Sequence, residues 1–226
     1  MPAPISVIIP TLNVADTIGP TLACLYEGME ASLICEVVIA DGGSVDGIEQ
    51  IANDVGATLV KTTKGRGNQM RAGALSAKGQ WLLFIHADTV LSPNWVAVMR
   101  AHINNQSKAG YCKLAFDKDG FAPKLIAALA NLRSRIFGLP YGDQALLISK
   151  DLYQQTGGYP DIPLMEDVAL ARKLRGQLKS LPVTATTRSD RYVKEGWFTR
   201  ARKNLGTLVL YFLGTTPEKL AKRYHR

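Results

Sequence analysis

Four groups of acidic or imidazole side chains interrupt the apolar stretches of this chain: Asp41 with Asp46, His86 with Asp88, Asp143, and Glu166 with Asp167. Arginines at 66, 188 and 191 supply the opposite sign. One or two carboxylates can hold Mg2+ or Mn2+ when phosphate oxygens complete the coordination shell. The metal and the arginines would neutralise a diphosphate leaving group, and a separate carboxylate remains free as a general base. That equipment suits displacement at a carbon attached to a nucleoside diphosphate. Each group also has a plain reading. His86-Ala-Asp88 can be a strand-end turn with a solvated acid. Acids in the first turn of a helix are favoured by its dipole, which accounts for one of Glu166 and Asp167 more readily than for both.

Such residues need a frame, and the hydrophobic pattern predicts one. Trp81 to Ile85 is unbroken apolar, bounded by Lys78-Gly79-Gln80 and Ser92-Pro93. It reads as a strand buried on both faces, with His86 and Asp88 where it surfaces. Ligands of open α/β sheets bind beyond the carboxyl ends of strands. Upstream, Ile5 to Pro10 reads as a strand stopped by its proline, followed by a turn at Thr11 to Asn13. Asp16 or Thr17 is expected to cap the next helix, with Ile18, Leu22 and Leu25 on one face. Glu36 to Ala40 is a second strand, with Ser44 capping a helix through Asn53; Thr58 to Lys61 is a third. Gly65-Arg66-Gly67-Asn-Gln69-Met-Arg71-Ala-Gly-Ala reads as a glycine hinge opening a helix, and Ser92-Pro93 opens another in the N-cap/N1 order. The β-α alternation to about residue 105 implies a parallel sheet with crossover helices.

The second half is less regular. Ala109 to Phe116 and Ala145 to Ile148 read as strands. Pro123 to Phe137 has apolar residues at 125, 128, 129, 132 and 136, a stripe expected to pack in the core. Pro163 to Leu174 reads as a helix carrying the Glu166-Asp167 pair in its first turn. From Trp197, the residues Ala201, Leu205, Leu208 and Phe212 share a helical face, with Arg200, Arg202 and Lys203 at its start.

A length of 226 residues suits one large α/β domain. Three scattered cysteines argue against a disulfide framework or zinc site and fit a reducing cytoplasm. The N-terminus lacks a basic region, so no signal peptide is expected, and no apolar run approaches the ~20 residues of a membrane span. The net charge of +8 is uneven: residues 186–226 hold 10 Lys/Arg against 3 Asp/Glu, the remainder 17 against 16. That tail points to an anionic neighbour: a phosphorylated substrate, an anionic membrane or nucleic acid.

Val7-Ile-Ile-Pro10-Thr-Leu-Asn13, Val38-Ile-Ala-Asp41-Gly-Gly-Ser44-Val-Asp46, Phe84-Ile-His86-Ala-Asp88-Thr89 and Glu166-Asp167, in this order and spacing, resemble the family 2 glycosyltransferases of the GT-A fold. The likeness covers residues 5 to about 175 and looks closest to small single-domain bacterial members carrying His-Ala-Asp-Thr, Gly-Asp-Gln and Pro-Leu-Met-Glu-Asp. It implies a Rossmann-like, mostly parallel central sheet flanked by helices, with a helical C-terminal extension. One domain would comprise a nucleotide-binding half (about 1–105), an acceptor half (about 106–195) and a basic amphipathic C-terminal helix and tail (about 196–226). By the same resemblance Asp41 recognises the nucleotide base and Pro10, Thr11 and Asn13 line its pocket. Ser44, Arg66, Gln69, Asp143 and Arg191 are further nucleotide-sugar contacts. Asp88, with His86 as a secondary contact, holds Mg2+ or Mn2+. Asp167 is the base that deprotonates an acceptor hydroxyl, and Glu166 turns toward a backbone amide or a basic residue. Attack at the anomeric carbon then inverts its configuration.

Three departures from the family pattern stand out. His86 replaces the first Asp of Asp-x-Asp, Val14 replaces an acid, and Arg188 and Tyr192 replace the Gln and Trp of Gln-x-x-Arg-Trp. The acceptor on this reading is lipid-linked or a small molecule, and nucleic acid is not an expected partner. A cytoplasmic protein is expected, with peripheral membrane contact through the basic C-terminus. Two other readings compete: a nucleotidyltransferase on a related scaffold, and a non-catalytic protein binding a sugar nucleotide or a membrane surface.

Overall fold

The structure, a computed structural model, describes residues 3–105 and 107–224. Eight strands form one sheet: β1 (Ile5–Thr11), β2 (Ile34–Asp41), β3 (Thr58–Lys61), β4 (Trp81–Phe84), β5 (Thr89–Leu91), β6 (Ala109–Phe116), β7 (Leu146–Ser149) and β8 (Leu178–Thr187). Their order is β3-β2-β1-β4-β7-β6-β8-β5. The first four strands pair in parallel, β7 runs antiparallel to β4 and β6, β8 is parallel to β6, and β5 is antiparallel to β8.

The period-two geometry of a strand sends neighbouring side chains to opposite faces, and both faces here are apolar. Val7 and Ile9 of β1 and Leu83 of β4 pack with Ile18, Leu25 and Trp95 on one side. Ile8, Leu82 and Phe84 pack with Met70, Tyr159 and Leu170 on the other. Trp81 to Ile85 is buried throughout, as its composition requires.

Several local expectations are corrected. Pro10 does not stop β1, which pairs with β2 as far as Thr11 and Asp41. In a parallel ladder alternate residues bond to alternate neighbours. The missing N–H of Pro10 falls on the β4 side, where the last bond is from Ile85 N–H to the Ile8 carbonyl. Neither Asp16 nor Thr17 caps the first helix, Gly19–Glu30; the Thr17 hydroxyl donates to the Val14 carbonyl instead. Ser44 does not cap the helix Ile48–Asp54, which starts from Gly47 in the left-handed region. The helix after Ser92-Pro93 begins at Trp95, whose N–H meets the Ser92 carbonyl. β5 and β8 were not anticipated.

The largest correction concerns the helix Phe121–Phe137. Its buried residues are Pro123, Ile126 and Ser134, whereas Leu129, Leu132 and Ile136 of the expected core stripe are exposed. Polar clamps decide the orientation. Asn131 brackets Leu114 of β6, accepting from its N–H at 2.8 Å and donating to its carbonyl at 3.0 Å. Ser134 donates to the buried Gln144 side chain. The side of the helix that carries these partners faces the sheet.

Three helices, Asp190–Glu195, Trp197–Phe212 and Pro217–Tyr224, form the C-terminal extension. It is anchored by a third cluster in which Leu208 and Leu220 pack with Met165, Val168 and Ala171 around the helix Glu166–Lys173. Residues 225 and 226 of the expected tail lie outside the described residues.

Candidate active site

The carboxyl ends of β1 and β2 form an interlocked cradle. Asp41 is nearly buried; its Oδ1 accepts from the Thr11 and Ser44 hydroxyls, and its Oδ2 accepts from the Gly43 and Ser44 amides at 2.9 and 2.8 Å. Burial opposes its charge, but these hydrogen bonds outweigh it and hold the carboxyl below its ordinary value. Ser44 Oγ also accepts from Asn13 N–H at 2.8 Å, Asn13 Oδ1 accepts from Val45 N–H, and Asp46 Oδ2 accepts from Ala15 N–H. Asn13 takes the positive φ of 52° that such a turn demands. Gln69 is buried beneath: its amide donates to the Ala40 and Thr11 carbonyls and ties the two strand ends together. It therefore shapes the cradle from below rather than facing its open side. With four bonds already on Asp41, any ligand contact there must share or exchange one of them.

The acids converge around the turn Gly142–Gln144. Gly142 N–H donates to Asp167 Oδ2 at 3.0 Å, and Asp167 Oδ1 accepts from Val168 N–H at 2.7 Å. A side chain at residue 142 is impossible without rearrangement, because a Cβ there would lie 2.6 Å from His86 Nε2. His86 Nε2 is thus packed against Gly142, buried and, among the described residues, without a hydrogen-bond partner. Burial first, then the Arg66 and Arg191 charges, push its pKa well below the ordinary imidazole value. At neutral pH it is a neutral ring. Gln144, fully buried, anchors the turn by accepting from Ser134 and donating to the Cys112 carbonyl at 3.1 Å. Sequence reasoning quoted Gly-Asp-Gln for its acid and missed that the glycine amide and the glutamine do the positioning.

Glu166 and Asp167 separate as adjacent helical residues must. Glu166 is 3% exposed, and its Oε1 lies 3.7 Å from Arg66 Nη1, so it does turn to a basic residue. Asp167 is the more accessible of the two. The helix starts from Met165, held at φ 70°. Gly67 lets the Arg66 helix approach closely: a Cβ there would come 2.5 Å from the Pro160 carbonyl. Asp88, in the turn between β4 and β5, accepts from the Thr187 hydroxyl at 3.3 Å.

Burial, and then the charge of Asp167, push Glu166 up to about 7 against the pull of Arg66. Burial likewise pushes Asp143 up to about 6, Arg133 lowering and Asp167 raising it; its Oδ1 has no partner. Between about 4.5 and about 7 the folded state holds a proton on Glu166 that the unfolded chain releases, so stability falls as pH rises through that window. We expect Tm to decline from about pH 5 to about pH 8, and Glu166→Gln to flatten much of that decline. Thermal denaturation across that range checks it; equal slopes in both proteins would place the responsible group elsewhere.

The C-terminal extension closes one side of the site. Tyr192 stacks on Trp197, with ring centroids 5.1 Å apart, and meets Phe116 edge-on at 4.9 Å. Tyr224 donates to Asn204 at 2.8 Å, and Asn204 donates to the Tyr192 hydroxyl at 3.0 Å. Arg200 is buried, paired to Glu195 at 2.9 Å and bonded to the Tyr224 hydroxyl. That overturns its expected place among surface cations facing a membrane. Arg191 is exposed, and Arg188 pairs with Asp190 at 2.8 Å.

A mostly parallel sheet with a hydrogen-bonded cradle at the carboxyl ends of β1 and β2, beside a cluster of acids and arginines, fits the GT-A type of glycosyltransferase. A sequence model of the family described as "Glycosyl transferase family 2" matches residues 6–137, and the chain belongs to that family. Over 99 residues it is 39% identical to the "PGL/p-HBAD biosynthesis glycosyltransferase" of Mycobacterium bovis and of Mycobacterium tuberculosis, covering 40% of this chain and 38% of those proteins. In structure it is similar to residues 1–349 of Staphylococcus aureus TarS (TM-score 0.63, 20% identity, 81% of this chain and 57% of that one). It is also similar to the glucosyl-3-phosphoglycerate synthase of M. tuberculosis, solved with Mn2+, uridine diphosphate and glucosyl-3-phosphoglycerate (TM-score 0.56, 19% identity, 82% and 70%). At such identities the likeness is one of fold.

Proposed function

We propose that this chain transfers a sugar from a nucleoside-diphosphate sugar to an acceptor hydroxyl by direct displacement with inversion. The observation that carries the reading is the accessible Asp167 carboxylate, fixed by the Gly142 and Val168 amides within electrostatic reach of Arg66. It is the general base; Arg66 and Arg191 stabilise the departing diphosphate, and the Asp41–Asn13 cradle receives the nucleoside. Residues 1 to about 105 then serve the donor and about 106–195 the acceptor. The similarity to structures solved with uridine diphosphate and with UDP-GlcNAc supports a nucleotide-sugar donor.

The residues also fit a divalent ion. Among the described residues no three His, Cys, Asp or Glu side chains form a ready-made cage. Asp88 as a lone strand-end carboxylate matches the mode in which Mg2+ or Mn2+ takes one or two carboxylates and otherwise substrate phosphates. Burial first, and then the charge of Asp167, raise Asp143 and Glu166, and a bound cation would offset the second of these. When bound, the ion supplies charge neutralisation for the diphosphate. His86, with Nε2 turned into Gly142, contributes a neutral wall.

Thermal denaturation against a panel of nucleoside diphosphates and their sugars with Mn2+ tests the proposal. A cognate donor at ~100 times its Kd should add ~2.7 kcal/mol. NMR of the product should show the anomeric configuration inverted. Stabilisation by no nucleoside diphosphate, or retention of configuration, would count against it.

A further inference from the structure

Two neighbouring helices leave their apolar sides uncovered. On the helix Phe121–Phe137, Leu129, Leu132, Ile136 and Phe137 are 50–64% exposed. On the helix Trp197–Phe212, Phe198, Leu205, Val209 and Phe212 are 48–61% exposed. Among the described residues, nine of the 16 large exposed apolar side chains lie on these two helices. The spacing is that of deliberate faces rather than scatter: 129, 132 and 136 on one, 198, 205, 209 and 212 on the other, with Arg202 in the gap of the second series. The two helices contact one another.

Their charge is of one sign. The two helices contain Lys124, Arg133, Arg135, Arg200, Arg202 and Lys203 and no acidic residue. Arg135 and Arg202 are exposed beside the stripes, while Arg200 is internal. Asp119 and Glu195, which flank the helices, already pair with Lys124, Arg200 and Lys203, so a second copy pressed onto the face would oppose the exposed Arg135 and Arg202 to their own counterparts. An anionic lipid surface answers both features: the apolar stripes enter the acyl boundary, and the arginines meet the headgroups. No helix of the described residues is long and apolar enough to cross a membrane, so the contact lies in the plane of the interface.

We infer that the paired faces of helices 121–137 and 197–212 form a docking surface for an anionic membrane. Leu208, about 80° round the second helix from its exposed stripe, shares a buried cluster with Val168 and Ala171 of the helix that starts with Glu166 and Asp167. Docking would hold the helix that carries Asp167 one helix away from the lipid surface, near an acceptor hydroxyl on an amphiphile. The inference deepens the membrane-contact expectation but moves it from the basic start of one helix to an apolar face shared by two. It rests on the transferase reading only for the acceptor.

The test is co-sedimentation of the full chain with vesicles of phosphatidylcholine alone and of phosphatidylcholine mixed with phosphatidylglycerol, with uridine diphosphate binding measured in parallel. Wild type should bind the mixed vesicles, less so at high salt, and the neutral ones weakly. Leu132→Glu and Leu205→Glu should each lower vesicle affinity by roughly 10-fold or more, the worth of one buried leucine. Arg202→Glu should lower it too, whereas Tyr26→Glu, at an exposed apolar site on the helix Gly19–Glu30, should not. If no vesicle binding occurs at low salt, or the two leucine variants bind as wild type does, the inference fails. A dimer in light scattering that Leu132→Glu dissociates, without vesicle binding, would assign the face to a second copy. Loss of nucleotide binding with vesicle binding intact would instead count against the transferase reading alone.

Discussion

Asp167→Asn should lower kcat by roughly 10²–10⁴-fold, the usual worth of a general base, while leaving donor affinity nearly unchanged. The reason lies in which of the two adjacent acids can meet an acceptor. Glu166 is buried to 3% exposure and turned toward Arg66, so it is not placed to reach a hydroxyl entering from the cleft. Asp167 is reachable and held by two backbone amides, an orientation that leaves its remaining lone pairs for a proton. Asparagine keeps one of those hydrogen bonds and opposes its NH2 to the other amide. The variant is therefore expected to lose about 1 kcal/mol of stability as well. Steady-state kinetics with Tm measured on the same preparations separates the two effects. Glu166→Gln should spare most turnover and change the pH dependence of stability instead. If Asp167→Asn keeps its turnover and Glu166→Gln abolishes it, the roles are reversed. If both remain active, the base lies elsewhere, and Asp143, with its unpartnered Oδ1, is the next residue to replace.

The second large effect is expected at Asp88. Asp88→Ala should weaken Mn2+-dependent binding of nucleoside diphosphate by roughly 10²-fold or more, since the strand-end site offers the ion no alternative cage. Because the Asp41–Asn13 cradle makes no bond to Asp88, the metal-independent part of nucleotide affinity should survive. Isothermal titration with and without Mn2+ gives both quantities. Equal affinity of the variant and wild type in the presence of metal would remove Asp88 from the metal site. His86→Asp, which restores the acid missing from Asp-x-Asp, offers a useful contrast. The position is packed on Gly142, so a gain in metal affinity would require the new carboxylate to turn out of that contact.

What the sequence alone determined follows from local physics. The run Trp81 to Ile85 read as a strand buried on both faces, and its first four residues form one; β3 and β6 were legible to their exact ends from apolar content and bounding turns. The βα alternation implied that the first strands pair in parallel through crossover helices, while their order β3-β2-β1-β4 came from the fold. Asp88 and the Glu166-Asp167 pair were legible as polar residues at a strand end and a helix start. Tertiary structure decided the rest. Periodicity shows that a helix has an apolar face but not whether that face is covered. In the helix 121–137, bonds from Asn131 and Ser134 turned the apolar stripe outward. A capping residue's type shows that its hydroxyl wants a partner, not which one; Ser44 found Asp41 and Asn13 rather than its own helix. The antiparallel β7, the unforeseen β5 and β8, and the Tyr192–Asn204–Tyr224 network depend on contacts between residues far apart in the chain. No local pattern encodes such contacts, so the wall that the C-terminal helices build beside the acids emerged only when the chain was folded.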